Sequence, residues 1–211
     1  MPGCCAHDYE KIFGRKAAAR DARRFRQGGL SGSAAALAEL AGDVSGQSVL
    51  EVGGGVGAIE VTLLEAGAEW ATNVELAASY EEEAADLLAE RGLEGRVDRR
   101  VSDFVAAAGT ISPHDVVVMH RVVCCYPDVD TLVGVAAGRA RRLLLLTYPR
   151  ERTVVRAAFW IMNAWQRVNG STFRAYVHPV ERMAAAAGAH GLTLAERRRH
   201  GVVWESAAYS R

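Results

Sequence analysis

Two rhythms of apolar residues alternate along this chain. Short apolar runs at Ser48–Val52, Trp70–Glu75, Val97–Val101, Asp115–Met119 and Arg142–Thr147 read as strands. The run Asp115-Val116-Val117-Val118-Met119 is apolar at successive positions, as expected of a strand buried on both faces of a parallel sheet. Between the runs, apolar residues recur at helical spacing. Ile59, Leu63 and Ala66 do so over 58–66, closed by Gly67, and Tyr80, Ala84, Leu87 and Leu88 do so over 77–91. Glu81-Glu82-Glu83 stands in the first turns of the latter, where acids suit the positive end of a helix dipole. A further helix is expected over Asp128–Arg139. Strands alternating with helices at this interval predict an α/β protein with a doubly wound, mostly parallel sheet.

The flanks differ from this core. Residues 8–27 are charged, with scattered apolar positions (Tyr9, Ile12, Phe13, Ala17, Phe25), and predict a helical arm ending at Gly28-Gly29. A second helix is expected over Ser33–Leu40, closed by Gly42. After Pro149 a long helix over about 151–168, another over 180–190, and β segments near 192–199 and 202–209 complete the chain. No repeat or linker interrupts it. One domain over 1–211 is therefore expected, with an N-terminal helical arm at 1–44, a ligand-binding core at 45–150, and substrate-side helices with the last β segments at 151–211.

Composition narrows the function classes. Half of the 211 residues are apolar and about a quarter are charged, as in a globular protein. Lys plus Arg equals Asp plus Glu, 25 against 25, so nucleic acid is not an expected partner. Arg23-Arg24-Phe25-Arg26 and Arg197-Arg198-Arg199 read as solvated faces. No stretch is long and apolar enough for stable membrane insertion, and MPGCCAHDYEKIFG lacks the apolar region of a secretory signal. Four cysteines do not make a disulfide framework, so a cytoplasmic protein with free thiols is expected.

The chemistry is expected at the carboxyl ends of the strands, where doubly wound sheets bind ligands. The first strand runs into Glu51-Val52-Gly53-Gly54-Gly55-Val56-Gly57. Glycines let the backbone turn and approach a ligand, and the helix that follows supplies N–H groups. Gly53, Gly55 and Ala58 satisfy a dinucleotide pattern, yet three features favour S-adenosylmethionine over NAD. Glu51 stands two residues before the first glycine, positioned for the cationic amino end of that cofactor. The spacing E-x-G-x-G-x-G completes at Gly57, and two helices precede the first strand. Glu75 ends the second strand, 22 residues after Gly53, placed for ribose hydroxyls with Leu76 beside it. Asp103-Phe104, after the third strand, suits the amine and the ring of adenine.

On these motifs the chain resembles the class I S-adenosylmethionine-dependent methyltransferases over about residues 45–150. Within them it is most similar to the magnesium-protoporphyrin IX O-methyltransferase group, through YEKIFG, CCYPD, LLLLTYPR, FRAYVHP and SAAYSR. The resemblance implies a Rossmann-like sheet of seven strands with the last antiparallel. It implies transfer of a methyl group to a small-molecule acceptor, at a carboxylate or phenol oxygen, with S-adenosylhomocysteine as product. It also marks departures: the porphyrin enzymes carry a histidine where this chain has Cys125 and an arm tyrosine where it has Phe13.

The loop after the fourth strand, HRVVCCYPD, faces the methyl group in such a fold. His120 then ends the strand beneath the cofactor, and Cys124, Cys125 and Tyr126 border an acceptor with an apolar body. Cys125, Tyr126 and His178 are the catalytic candidates, His178 as a general base or as a histidine packed on Pro179. Arg150 and Arg174 are candidates to hold an acceptor carboxylate, and helix 151–168 to act as a lid or to cover the sheet. Three readings of the cysteine pairs Cys4-Cys5 and Cys124-Cys125 remain: buried packing, a soft metal or metalloid site if the arm folds over, and a vicinal disulfide. Neither pair has zinc spacing, so no metal site is assigned. Thiol or metalloid methylation, and cofactor binding without catalysis, are the competing functions.

Overall fold

The computed structural model describes Tyr9 and residues 12–211. Among them the strands are β1 (Ser48–Val52), β2 (Trp70–Glu75), β3 (Val97–Val101), β4 (His114–His120), β5 (Ala140–Pro149), β6 (Thr193–His200) and β7 (Trp204–Ser210). They form one sheet in the order β3-β2-β1-β4-β5-β7-β6. The first five pair in parallel, and β7 lies antiparallel between β5 and β6. This is the Rossmann-like seven-stranded arrangement expected, with the last strand antiparallel. The order reverses between β1 and β4, which opens a crevice at their carboxyl ends.

The main helices are α1 (Arg15–Gly28), α2 (Gly32–Ala41), α3 (Ala58–Glu65), α4 (Glu81–Arg91), α5 (Phe104–Ala107), α6 (Val129–Arg139), α7 (Thr153–Val168) and α8 (Val180–Gly188). Two apolar cores sandwich the sheet. One gathers α1–α4 around Leu37, Val49, Leu63 and Leu87, and the other gathers α5, α6 and α8 around Leu50, Val117, Leu132 and Met183. Alternate strand residues feed the two cores: Val49 enters the first and Leu50 the second. β5 begins at Ala140, immediately after α6, and runs through Pro149 against the full length of β7. The apolar run over 142–147 therefore understates it, since strand ends are held by pairing as well as burial.

α7 departs from the pattern. Only Val155 of this helix is buried, while Trp160, Ile161 and Trp165 stand 72%, 61% and 64% exposed. It neither covers the sheet nor closes over the carboxyl-end crevice. No helix among the described residues is long and apolar enough to cross a membrane.

The Tyr209 hydroxyl is fully buried in the second core, with no hydrogen-bond partner among the described residues. Removing an unpaired buried hydroxyl relieves its desolvation penalty. Tyr209→Phe is expected to leave urea-melt stability unchanged or to raise it by up to ~1 kcal/mol, and a clear loss would reveal a hidden partner.

Candidate active site

A cavity of ≈ 490 Å³ opens at the carboxyl ends of β1, β2 and β4. Such a volume lies in the range for small-molecule sites, roughly 300–1,000 Å³. Its floor is the glycine loop, Gly53 to Val56, with Glu51. Glu75, Leu76, Asp103 and Phe104 form one side, and His120, Arg121, Val122, Cys125 and Tyr126 the other. Tyr9, Phe13 and the α1–α2 turn at Gly29–Ser31 form the roof.

The glycine loop is built for close approach. Gly53 has φ +63°, and a Cβ there would stand 2.6 Å from Val122 Cγ2, so only glycine lets the floor meet the β4 loop. Gly57 does not line the cavity. Its φ is +80°, and a Cβ there would stand 2.2 Å from Glu60 Oε1. Its absence of a side chain makes room for a buried acid beneath the loop.

That acid belongs to a layer of carboxylates. Glu51 Oε2 accepts the Glu60 N–H at 2.9 Å. Glu60 accepts from Asn73 Nδ2 at 2.8 Å and pairs with Arg99 Nη1 at 3.3 Å. Arg99 also donates to the Gly55 carbonyl at 2.9 Å and binds Glu81 at 2.8 Å. Burial first, then the neighbouring Glu60 charge, raises the Glu51 pKa well above the usual carboxylate range. Burial likewise raises Glu60 to about 7, against the opposing pull of Arg99. Glu75 Oε2 accepts the Gly55 N–H at 2.8 Å, and Oε1 accepts the N–H groups of Leu76 and Ala77 at 2.8 and 2.9 Å. Three of a carboxylate's four lone-pair positions are thereby used, and one remains for a ligand. Asp103 lines the cavity and caps α5, its Oδ1 accepting from Val105 and Ala106. Phe104 is buried and lends the cavity an aromatic wall.

The β4 loop is clamped at successive carbonyls. Tyr176 N–H donates to Cys124 O at 2.7 Å, Tyr9 Oη to Cys125 O at 2.6 Å, and His178 Nε2 to Tyr126 O at 2.9 Å. His178 is thus buried behind the loop, stacked on Tyr176, and does not line the cavity. Burial lowers its pKa, against the opposing pull of its hydrogen bond to the Tyr126 carbonyl. Of the three catalytic candidates, Cys125 and Tyr126 reach the cavity and His178 supports them from outside.

The vicinal pair is a pair of free thiols. Cys124 and Cys125 Sγ lie 3.7 Å apart, and Cys124 Sγ–H donates to the Arg121 carbonyl at 3.2 Å. The Cys124 thiol and burial push the Cys125 pKa up, which keeps it protonated. Cys4-Cys5 lies outside the described residues. Arg121, which that carbonyl belongs to, has φ +60°, a left-handed conformation that costs about 1–3 kcal/mol in a non-glycine residue.

His120 ends β4 and lines the cavity. Burial, then Arg121, lowers its pKa to about 4, so it is neutral near pH 7. Its Nε2 lies 3.0 Å from Ser33 Oγ, which also accepts from Arg121 Nη2 at 3.0 Å, so Ser33 bridges the two. Arg150 and Arg174 are elsewhere: Arg150 donates to the Gly201 carbonyl, and Arg174 to those of Ser171 and Phe173. Sequence reasoning missed Tyr9, Ser33, Glu60, Arg99 and Arg121. A charged residue on the apolar face of helix 58–66 was the available signal for Glu60.

The fold is shared with solved methyltransferases. Magnesium protoporphyrin IX methyltransferase (ChlM) from Synechocystis PCC 6803, solved with bound SAH, matches with TM-score 0.67 at 18% identity, over 85% of this chain and 81% of that one. An O-methyltransferase family protein from Burkholderia thailandensis matches with TM-score 0.74 at 18% identity, over 93% and 59%. Geranyl diphosphate C-methyltransferase from Streptomyces coelicolor A3(2), in complex with Mg²⁺, geranyl diphosphate and S-adenosyl-L-homocysteine, matches with TM-score 0.65 at 12% identity, over 84% and 76%. No protein-family model and no curated protein matches the chain.

Glu60 binds its proton more tightly folded than unfolded, where its pKa is near 4.5. Its contribution to stability is therefore full below about pH 4.5 and is lost as pH rises through about 7. The stability of the wild type relative to Glu60→Gln is expected to fall by on the order of 2 kcal/mol between pH 5 and pH 8 in urea melts. A difference that does not change with pH would contradict this assignment.

Proposed function

We propose that this protein transfers the methyl group of S-adenosylmethionine to an oxygen atom of a small-molecule acceptor. The observation that carries the reading is one cavity shared by two sets of residues. The glycine loop, Glu75 and the Asp103-Phe104 pair line it with chemistry suited to the cofactor. Cys125, Tyr126, Phe13 and Leu30 line it with apolar or weakly polar surface suited to the body of an acceptor.

The residues present fit the cofactor. The vacant lone pair of Glu75 suits a ribose hydroxyl, Asp103 and Phe104 suit an adenine, and positive-φ glycines leave backbone accessible. Glu51 stands in the floor, where a cationic amino group would offset the repulsion among the buried carboxylates. When bound, the sulfonium supplies an electrophilic methyl for in-line displacement. The chain's own task is to align the acceptor and exclude water. The arm residues Tyr9 and Phe13 roof the cavity, and the clamp on residues 124–126 fixes its acceptor wall.

Carboxylate methylation needs no general base, and the cavity is consistent with that. His120 Nε2 is held by Ser33 and its pKa is lowered to about 4, while Cys125 stays protonated. Cys125 is held protonated while the hydrogen bond between the two thiols lowers the pKa of Cys124, so thiol or metalloid methylation remains the competing reading. A cytoplasmic small molecule, rather than nucleic acid or lipid bilayer, is the partner this reading assigns.

An unbiased metabolite screen with isotope-labelled S-adenosylmethionine, followed by product mass, tests the reading. A labelled methyl ester or ether is the expected product. Tight cofactor binding with no labelled product from any acceptor would favour a binding protein. The double change Cys124→Ser, Cys125→Ser is expected to reduce turnover by about tenfold or less, because Ser hydroxyls can replace the thiols as donors to Arg121. Complete loss would instead point to thiolate chemistry.

A further inference from the structure

We infer that Arg121 binds a carboxylate of the acceptor, and that the acceptor is therefore an organic acid. The inference deepens the methyl-transfer reading and rests on it for the identity of the cavity. The anion site itself stands on separate observations.

Two arginines stand at this end of the sheet, Arg99 largely buried and Arg121 exposed to the cavity, and they differ in what they touch. Arg99 pairs with Glu60 and Glu81 and lies beneath the glycine loop. Arg121 lines the cavity, yet no carboxylate among the described residues lies within ion-pair distance of it. Its recorded side-chain partners are Ser33 Oγ, at 3.0 Å, and the face of Trp204, 4.5 Å from the ring centroid. The four acids that line the same cavity are engaged elsewhere. Asp21 accepts from Arg20 and from Tyr80 Oη, Glu51 from the Glu60 amide, Glu75 from three amides, and Asp103 from the amides of α5.

A guanidinium carries five N–H donors in one plane. Trp204 takes its flat face and Ser33 takes one edge donor. The donors left over are those that grip a carboxylate in bidentate fashion. Its charged neighbour on α1, Arg24, lines the cavity too and adds positive potential rather than neutralising it.

The backbone presents this side chain deliberately. Arg121 adopts φ +60°, its N–H donates to the Thr147 carbonyl at 3.2 Å, and its own carbonyl accepts the Cys124 thiol. A left-handed residue pinned on both sides directs its side chain between Ser33 and Trp204. The cysteine pair thus acts through Arg121, by holding the turn that carries it. The side chain points to the acceptor side, since Cys125 and Tyr126 follow it along the same wall, opposite Glu75 and Asp103.

The test is calorimetry on the full chain saturated with S-adenosylhomocysteine. The probes are benzoate, salicylate, indole-3-acetate and 3-hydroxy-2-naphthoate, each against its primary amide and a phosphate monoester of the same ring. At least one acid is expected to bind roughly 30-fold tighter than its amide. In Arg121→Met that preference is expected to fall to about threefold or less, with S-adenosylhomocysteine affinity unchanged. Arg121→Lys keeps the charge without the fork and is expected to recover part of it, which guards against a misfolded Met variant. No acid preferred over its amide, a preference that survives in Arg121→Met, or a stronger preference for the phosphate ester would each overturn the inference. If S-adenosylhomocysteine fails to bind, the methyl-transfer reading fails, while the acid-against-amide comparison run without it still decides the anion site.

Discussion

The guanidinium of Arg99 is the contact on which the cofactor side depends. It reaches from β3 beneath the glycine loop and touches Glu60, Glu81 and the Gly55 carbonyl together. Without it, Glu51 and Glu60 would be buried acids in mutual repulsion, and the loop above them would lose its support. With it, the carboxylates can lie where they hold the amides of Glu60 and Gly55, and the loop is fixed before any ligand arrives. Such preorganisation is what a displacement reaction requires, because alignment dominates its barrier. Burial raises the pKa values of Glu51 and Glu60, with repulsion from Glu60 adding to it at Glu51, so a cationic ligand that favours their charged forms has a reason to bind there.

The side proposed for the acceptor follows a different principle. Its wall is a loop, and loops hold geometry only when their backbone groups are bound. Here three consecutive carbonyls are held from two separate segments: Tyr9 of the N-terminal arm, and Tyr176 with His178 of the stretch before α8. The contact of Gly53 with Val122 then joins this wall to the glycine loop. A disturbance of either half is therefore felt by the other. The vicinal cysteines belong to this framework as free thiols, with Cys124 buried and donating to a strained carbonyl.

Much of this arrangement was legible in the sequence. The strand runs and helical spacings gave the elements because burial in a layered sheet imposes those periods. Glu75 and Asp103-Phe104 could be placed at the cavity because position at a strand end is itself a sequence property. What stayed hidden depends on tertiary contact. Nothing in FRAYVHP distinguishes a histidine in a pocket from one that binds a carbonyl behind it, and His178 proved to be the second. The sequence reading named Arg150 and Arg174 rather than Arg121, since what a guanidinium touches is recognisable only when its surroundings are known. Glu60 and Arg99 lie 39 residues apart and meet only in the folded sheet. The long apolar helix, read as a lid or cover, instead keeps its tryptophans in solvent.

The central claim is that the cavity above Arg99 holds S-adenosylmethionine rather than a dinucleotide. Calorimetric titration of the intact protein with S-adenosylhomocysteine and, separately, with NADH tests it most directly. The account predicts one site for S-adenosylhomocysteine, no heat of binding for NADH, and about tenfold or greater weakening in Glu75→Gln. Binding of NADH, or S-adenosylhomocysteine affinity indifferent to Glu75→Gln, would contradict it.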